Sequence, residues 1–200
     1  MGINLDAAGY NEVSAANPGE FLLLPAGGYV CRIFNSQFVK SKAGNDLLVL
    51  YLDIAEGEFA GHFKAAANRV KNFNSDLKWD NAAIYRQRIF DDTGRVARFF
   101  KGLLSCIAKS NKTNFNLINF EADSLRGLLC GFIFAEEEYN KKDGSIATRT
   151  FAKFPKIVDD IRNGNFNIPE LKKLSPSPKT TTTDNDFPNS TPIDPDDCPF

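Results

Sequence analysis

Between His62 and Lys101 the chain carries nine cationic side chains (Lys64, Arg69, Lys71, Lys78, Arg86, Arg88, Arg95, Arg98 and Lys101) against four acids. Phe63, Phe73, Trp79, Tyr85 and Phe90 are interleaved with them. Cations so placed can follow a row of phosphates, and aromatic faces between them can stack unpaired bases. Each stacked base is worth ~1–3 kcal/mol and is largely sequence-tolerant. The bland arrangement of the same residues is a core of aromatics beneath a solvated basic face, and for any single aromatic that is the better expectation. Trp79, between Lys78 and Asp80 in a polar stretch, is the aromatic expected to be exposed. Ile84 to Phe90 reads as a strand with Arg86 and Arg88 on one face and Tyr85 and Gln87 on the other. It can therefore offer a ligand either a basic or an aromatic-polar surface.

A second pattern closes the chain: Asp194-Pro195-Asp196-Asp197-Cys198-Pro199-Phe200. Burying the Phe200 ring in a partner's pocket would contribute ~1.5–3 kcal/mol. Its α-carboxylate can meet an Arg or Lys at the pocket rim, and the aspartates add salt-sensitive attraction to a basic patch. Asp194, Asp196, Asp197, Pro199 and Phe200 thus form a candidate docking peptide for other proteins. The alternative is a plain acidic tail that aids solubility.

Other chemistry fits poorly. There is no Walker-type Gly-x-x-x-x-Gly-Lys loop and no Gly-x-Ser-x-Gly, so no enzymatic activity and no cofactor are expected. Asp53, Glu56 and Glu58 could imitate a two-metal nuclease cluster, but turn residues at a hairpin end account for them better. His62 is the sole histidine, and Cys31, Cys106, Cys130 and Cys198 show no Cys-x-x-Cys spacing. Zinc is not indicated, and reduced, mostly buried thiols are expected. No leader with a basic start and apolar centre is visible, and no apolar run approaches the ~20 residues of a membrane helix. A cytoplasmic protein is the expectation.

Charge is unevenly divided. Residues 175–200 hold five of the 25 acids and one of the 24 bases, leaving 23 bases against 20 acids in residues 1–174. A mildly basic body carrying an acidic tail is the balance of a body that meets a polyanion.

The elements that must position these residues are mainly strands. Residues 1–27 read as an Ala/Asn/Gly-rich arm. From Gly28 apolar residues alternate, Ser41 to Asp46 is a turn cluster, and Leu47 to Ile54 is a second strand, together a long hairpin. After the Ile84–Phe90 strand, Phe100, Leu103, Leu104 and Ile107 mark one face of a helix at about 95–110. Asp123 is expected to cap a short helical turn. Cys130–Asn140 and Ser145–Phe154 flank Asp143-Gly144, a strong hairpin signal, and a small helix is expected from Pro155 to Gly164. Five strands with a helix between the third and fourth is the order of an OB-fold-like barrel, here spanning 28–174. Its first and last hairpin loops, which flank the oligonucleotide site of such folds, would carry Lys40, Lys42, Lys141 and Lys142. Glu136-Glu137-Glu138 argues against the whole second hairpin lying on phosphates. From Ser175 the chain holds six of ten prolines and eight Ser or Thr, a composition that favours a disordered linker.

The terminal Asp196-Asp197-Cys198-Pro199-Phe200 resembles the acidic tip of bacterial and phage single-stranded-DNA-binding proteins, with Cys198 where Ile is usual. Leu24-Pro25-Ala26-Gly27-Gly28-Tyr29, Ser41-Lys42-Ala43-Gly44-Asn45-Asp46, Glu56-Gly57-Glu58-Phe59-Ala60-Gly61, Lys142-Asp143-Gly144 and Ile168–Leu174 resemble, in that order, a phage and mobile-element family of such proteins from Gram-positive bacteria. The resemblance implies an OB-like body that binds single-stranded DNA without sequence preference. It also implies a tip that recruits replication or recombination proteins in the bacterial cytoplasm. The residues expected to contact DNA are Lys42, Lys64, Arg69, Lys71, Phe73, Lys78, Trp79, Tyr85, Arg86, Arg88 and Lys142. The competing expectation is a phage adaptor that uses tail and sheet for proteins alone. Pairing of edge strands into a homo-oligomer stays open.

Overall fold

The computed structural model describes residues 24–71 and 79–174, the side chains of 69–71 excepted. Most of the arm, Phe73, Lys78 and the whole of 175–200, including the Asp194–Phe200 tip, lie outside the described residues.

Alternating apolar residues make five strands: β1 (Gly27–Lys40), β2 (Asp46–Ile54), β3 (Ile84–Arg88), β4 (Leu129–Asn140) and β5 (Ile146–Lys156). Three helices join them: α1 (His62–Lys71), α2 (Arg98–Asn111) and α3 (Val158–Arg162). The strands form one antiparallel sheet in the order β3-β2-β1-β4-β5. β1 is shared: its first part pairs with β4 and its later part with β2. Both hairpin turns use a glycine where φ must be positive, Gly44 and Gly144, which carries no steric penalty there. No ladder joins β3 to β5, so the sheet is open where a closed barrel was expected. Closure would require these two edges, distant in sequence, to exchange backbone hydrogen bonds.

The core lies on one side of the sheet. Leu48, Leu50, Leu52 and Ile54 of β2 alternate into it, joined by Ile33, Phe132 and Phe134 from neighbouring strands. Helix α2 covers this layer with Phe100, Leu103, Leu104 and Ile107, the face its spacing predicts. It starts at Arg98 rather than near residue 95, because Asp91 folds residues 91–95 into a turn and Phe90 bridges Val96. Helix α1, not anticipated from the sequence, is tied to β2 from a distance: Asp53 Oδ1 accepts from the backbone N–H of Phe63 and Lys64, each at 3.1 Å.

The opposite face of β1 and β4 is covered by the C-terminal segment. Val30 and Ile133 pack with Val158 and Ile161 of α3, and Phe166 crosses Gly28. The chain then returns to β4 beyond the point where β1 begins: Glu138 N–H donates to the Lys172 carbonyl (2.9 Å) and Lys172 N–H to the Glu136 carbonyl (3.2 Å). The three glutamates are chain anchors. Glu136 accepts from Ala26 N–H, Glu138 from Leu174 N–H, and Glu137 pairs with Arg149. Leu24, at the end of the arm, is buried against the main core. The expected helix from Pro155 is shorter, because Pro155 still belongs to β5 and helical turns begin at Val158. Cys31 and Cys130 are buried free thiols facing each other across β1 and β4, and burial pushes both well above the ordinary thiol range. Among the described residues no helix is long and apolar enough to cross a membrane.

Candidate nucleic-acid interface

The register decides which surface β3 offers. Leu50 faces Tyr85 and Leu48 faces Gln87, on the core side. Val49 faces Arg86, Leu47 faces Arg88 and Tyr51 faces Ile84, on the outer side. Tyr85 is turned inward and packs edge-on against Phe132, ring centroids 5.1 Å apart. Its hydroxyl donates to Gln87 Oε1 (3.0 Å), and burial pushes its pKa up. Of the two surfaces open to β3, the outer one is therefore basic. Tyr85, expected to contact DNA, is turned to the core side and partly buried against it.

Trp79 is the second correction. It is 7 % exposed. Its indole N–H donates to the Leu52 carbonyl at 3.0 Å, one residue past the end of the β2–β3 ladder, so it satisfies a backbone acceptor that β3 does not reach. Its ring stacks on Phe34 at 4.6 Å with the planes 19° apart. A buried indole with its donor engaged gains more from the protein than from solvent, and its polar flanks disguise this. Phe34 is the aromatic that sequence reasoning missed. It sits at the β1 irregularity between Ile33 and Asn35, where the pairing with β2 slips by one residue. Such a slip re-aims side chains, and Phe34 keeps 38 % of its surface exposed while Trp79 supports one ring face. Alternation along β1 runs through Phe34 and carries no signal of this slip.

Around Phe34 the outer face combines polar and cationic groups. Gln37 Nε2 donates to the Tyr51 hydroxyl (2.8 Å), and Arg126 donates to Asn35 Oδ1 (2.7 Å). Arg32 donates to the Gly127 carbonyl (3.1 Å). A shallow groove of about 580 Å³ adjoins this face along β1, lined by Asn35, Gln37, Phe38, Phe120 and Arg126 among others.

The arginines divide into two sets. Arg88, Arg126, Arg149 and Arg162 have acid partners in Asp92, Asp123, Glu137 and Glu56. Arg32, Arg86, Arg95 and Arg98 have none among the described residues; Arg86 lies on β3, Arg98 opens α2 and Arg95 stands in the turn between them. Arg88 adds a buried Nε without an acceptor among the described residues. Unneutralised guanidinium groups are the ones free to meet an external anion.

The remaining expected contacts are dispersed. Lys64 is exposed in the first turn of α1, and Lys42 lies in the β1–β2 turn beyond the Leu47–Arg88 end of the sheet. Lys142 stands in the β4–β5 turn, which the register sets beyond the other end of β1. The side chains of Arg69 and Lys71 are not described, and Phe73 and Lys78 fall outside the described residues. Of the acids that could imitate a metal cluster, Asp53 caps α1 and Glu56 is gripped by Arg162 through two nitrogens, at 3.1 and 2.5 Å. No curated protein matches the chain. Residues 11–97, a stretch that includes β1, β2, α1 and β3 and stops before α2, are similar to a family described as a protein of unknown function, DUF669.

Proposed function

We propose that the outer face of β1–β2–β3 binds single-stranded DNA without sequence preference, and that the acidic tip at Asp194–Phe200 recruits replication or recombination proteins to it. The observation that carries the reading is the set of acid-free arginines on and beside β3, above all Arg86, on the same sheet face as an exposed aromatic on β1, Phe34, whose ring Trp79 braces. Guanidinium groups take the phosphates, and Phe34 and Tyr51 offer faces to bases. The neutral polar side chains around Phe34, Asn35 and Gln37, are already engaged by Arg126 and Tyr51, which favours stacking over base-edge readout. The strand order, with β1 shared between β2 and β4 and α2 between β3 and β4, also supports an OB-like body opened between β3 and β5. Recruitment rests on the tip's sequence: acids for approach, Pro199-Phe200 for a pocket.

A fluorescent oligo-dT tests the binding claim. Saturable binding is expected, competed by unlabelled single strands and far less by duplex of the same length. Absence of binding at low salt would leave a protein adaptor as the surviving reading. Deleting Asp194–Phe200 should leave the oligonucleotide affinity equal or higher; its loss would mean the tip has been given the wrong role.

A further inference from the structure

The outer face of β3 does not stop with the strand. Ile84, Arg86 and Arg88 alternate along it, and the next member of the series, Phe90, is bridged to Val96. Asp91 closes the intervening turn, its Oδ1 accepting from the N–H of Thr93 (2.9 Å) and Arg95 (3.0 Å). Residues 90–96 therefore make a small closed hairpin leading directly into α2. Phe90 is 41 % exposed, Val96 55 % and Phe99, in the first turn of α2, 80 %. That is the highest value for any large apolar side chain among the described residues.

Local structure explains why Phe99 stays open. Its neighbour Phe100 fills the core, so Phe99 adds nothing to α2's packing. One turn further on stands Gly102, which has no side chain to lie beside the ring and nothing within 4 Å of where a Cβ would be. Helical side chains lean toward the N-terminus, which carries the ring toward Val96 and the end of β3. Arg95 in the hairpin and Arg98 at the start of α2 flank this corner, with Lys101 one turn on from Arg98, all exposed and without an acid partner among the described residues; of the hairpin's two acids, Asp92 is held by Arg88 and Asp91 by the turn's own N–H groups.

We infer that this corner is a second stacking station for the same single strand, a conclusion that rests on the nucleic-acid reading of the outer face. A strand lying along β3 continues past Phe90 and Val96, sets a base on Phe99, and gives its phosphates to Arg95, Arg98 and Lys101. The site thus turns off the sheet onto α2. Charge selects this occupant over a second copy of the chain, because a copy docked corner to corner would set these cations against their own counterparts. A polyanion with flat apolar faces matches both the cations and the exposed rings.

The full chain and its Phe99→Ala, Phe99→Tyr and Phe99→Leu variants, bound to oligo-dT of about 5 and about 20 nucleotides, separate the possibilities. Phe99→Ala should weaken the longer strand by about 5- to 150-fold, the span for one stacked base, and leave the shorter one unchanged. Phe99→Tyr should restore the loss and Phe99→Leu should not. Two results overturn the inference: unchanged binding of both oligonucleotides by Phe99→Ala, or rescue by Phe99→Leu equal to that by Phe99→Tyr, which would mark the corner as a dock for apolar protein surface. Failure of the wild-type chain to bind either oligonucleotide removes the outer-face reading, and this one with it. Normal wild-type binding with an inert Phe99 removes this one alone.

Discussion

Replacing Trp79 by Phe separates a structural indole from a DNA-contacting one. The substitution deletes the N–H that donates to the Leu52 carbonyl at 3.0 Å. Leaving that buried acceptor unpaired costs ~1–3 kcal/mol. Aromatic side chains bury 150–250 Å², so the smaller ring forfeits up to ~50 Å² of contact, or about 1 kcal/mol at ~25 cal/mol per Å². The combined loss of about 2–4 kcal/mol should lower the melting temperature by roughly 5–15 °C for a domain of this size. Circular dichroism melts measure it. Below the new transition, anisotropy of a labelled oligo-dT should show affinity near that of the wild type, because the ring presented to solvent is Phe34, which Trp79 only supports. A Trp79→Phe variant with an unchanged melting temperature and sharply weakened DNA binding would refute the reasoning and return Trp79 to the surface.

Arg86→Glu should reduce oligo-dT affinity by tenfold or more and flatten the salt dependence by about 0.7 per lost phosphate contact, with an unchanged melt because Arg86 is exposed and unpaired; equal affinity would remove it from the site. Gly131→Ala should destabilise the domain by ~1–3 kcal/mol, seen in urea unfolding, because a Cβ there would lie 2.5 Å from Ile161 and 3.0 Å from the Lys156 carbonyl; wild-type stability would mean that α3 packs more loosely than described. The Asp91 carboxyl is held below its ordinary range by the Thr93 hydroxyl and then the Arg95 N–H, and Asp143 likewise by Ser145. A depressed carboxylate stabilises the fold above its unfolded pKa of ~3.9 and loses that contribution as pH falls through the lower folded value. Melting temperatures should therefore hold between pH 8 and pH 5 and decline below about pH 4, and loss of stability already at pH 6 would contradict these assignments.

The hairpins were legible because their signals are local: Asp143-Gly144 and the Ser41–Asp46 cluster turn the chain, and alternation sets each strand's faces. Helix α2 was legible from four apolar residues at helical spacing. Helix α1 was not. Its buried side chains among the described residues are Phe63 and Ala67, and its cap, Asp53, comes from the preceding strand, so no local start signal precedes it. Burial of Trp79 was hidden for the same reason, since its hydrogen-bond partner lies 27 residues away. Glu136–Glu138 looked like a repulsive acidic run and proved to be the point where both ends of the domain are fastened, through contacts spanning 110 and 36 residues. Alternation along β3 allows either its basic or its aromatic-polar face to point outward. Only its register with β2 could choose between them, because one residue of slip exchanges the faces. Phe34 was missed because its exposure follows from a pairing irregularity, which alternation alone does not reveal.

The central claim stands or falls on the affinity of the full-length chain for oligo-dT across a salt series. Log K should fall linearly with log salt concentration, with a slope near −0.7 for each phosphate held by the unpaired arginines. Binding independent of salt, or none at low salt, would contradict it.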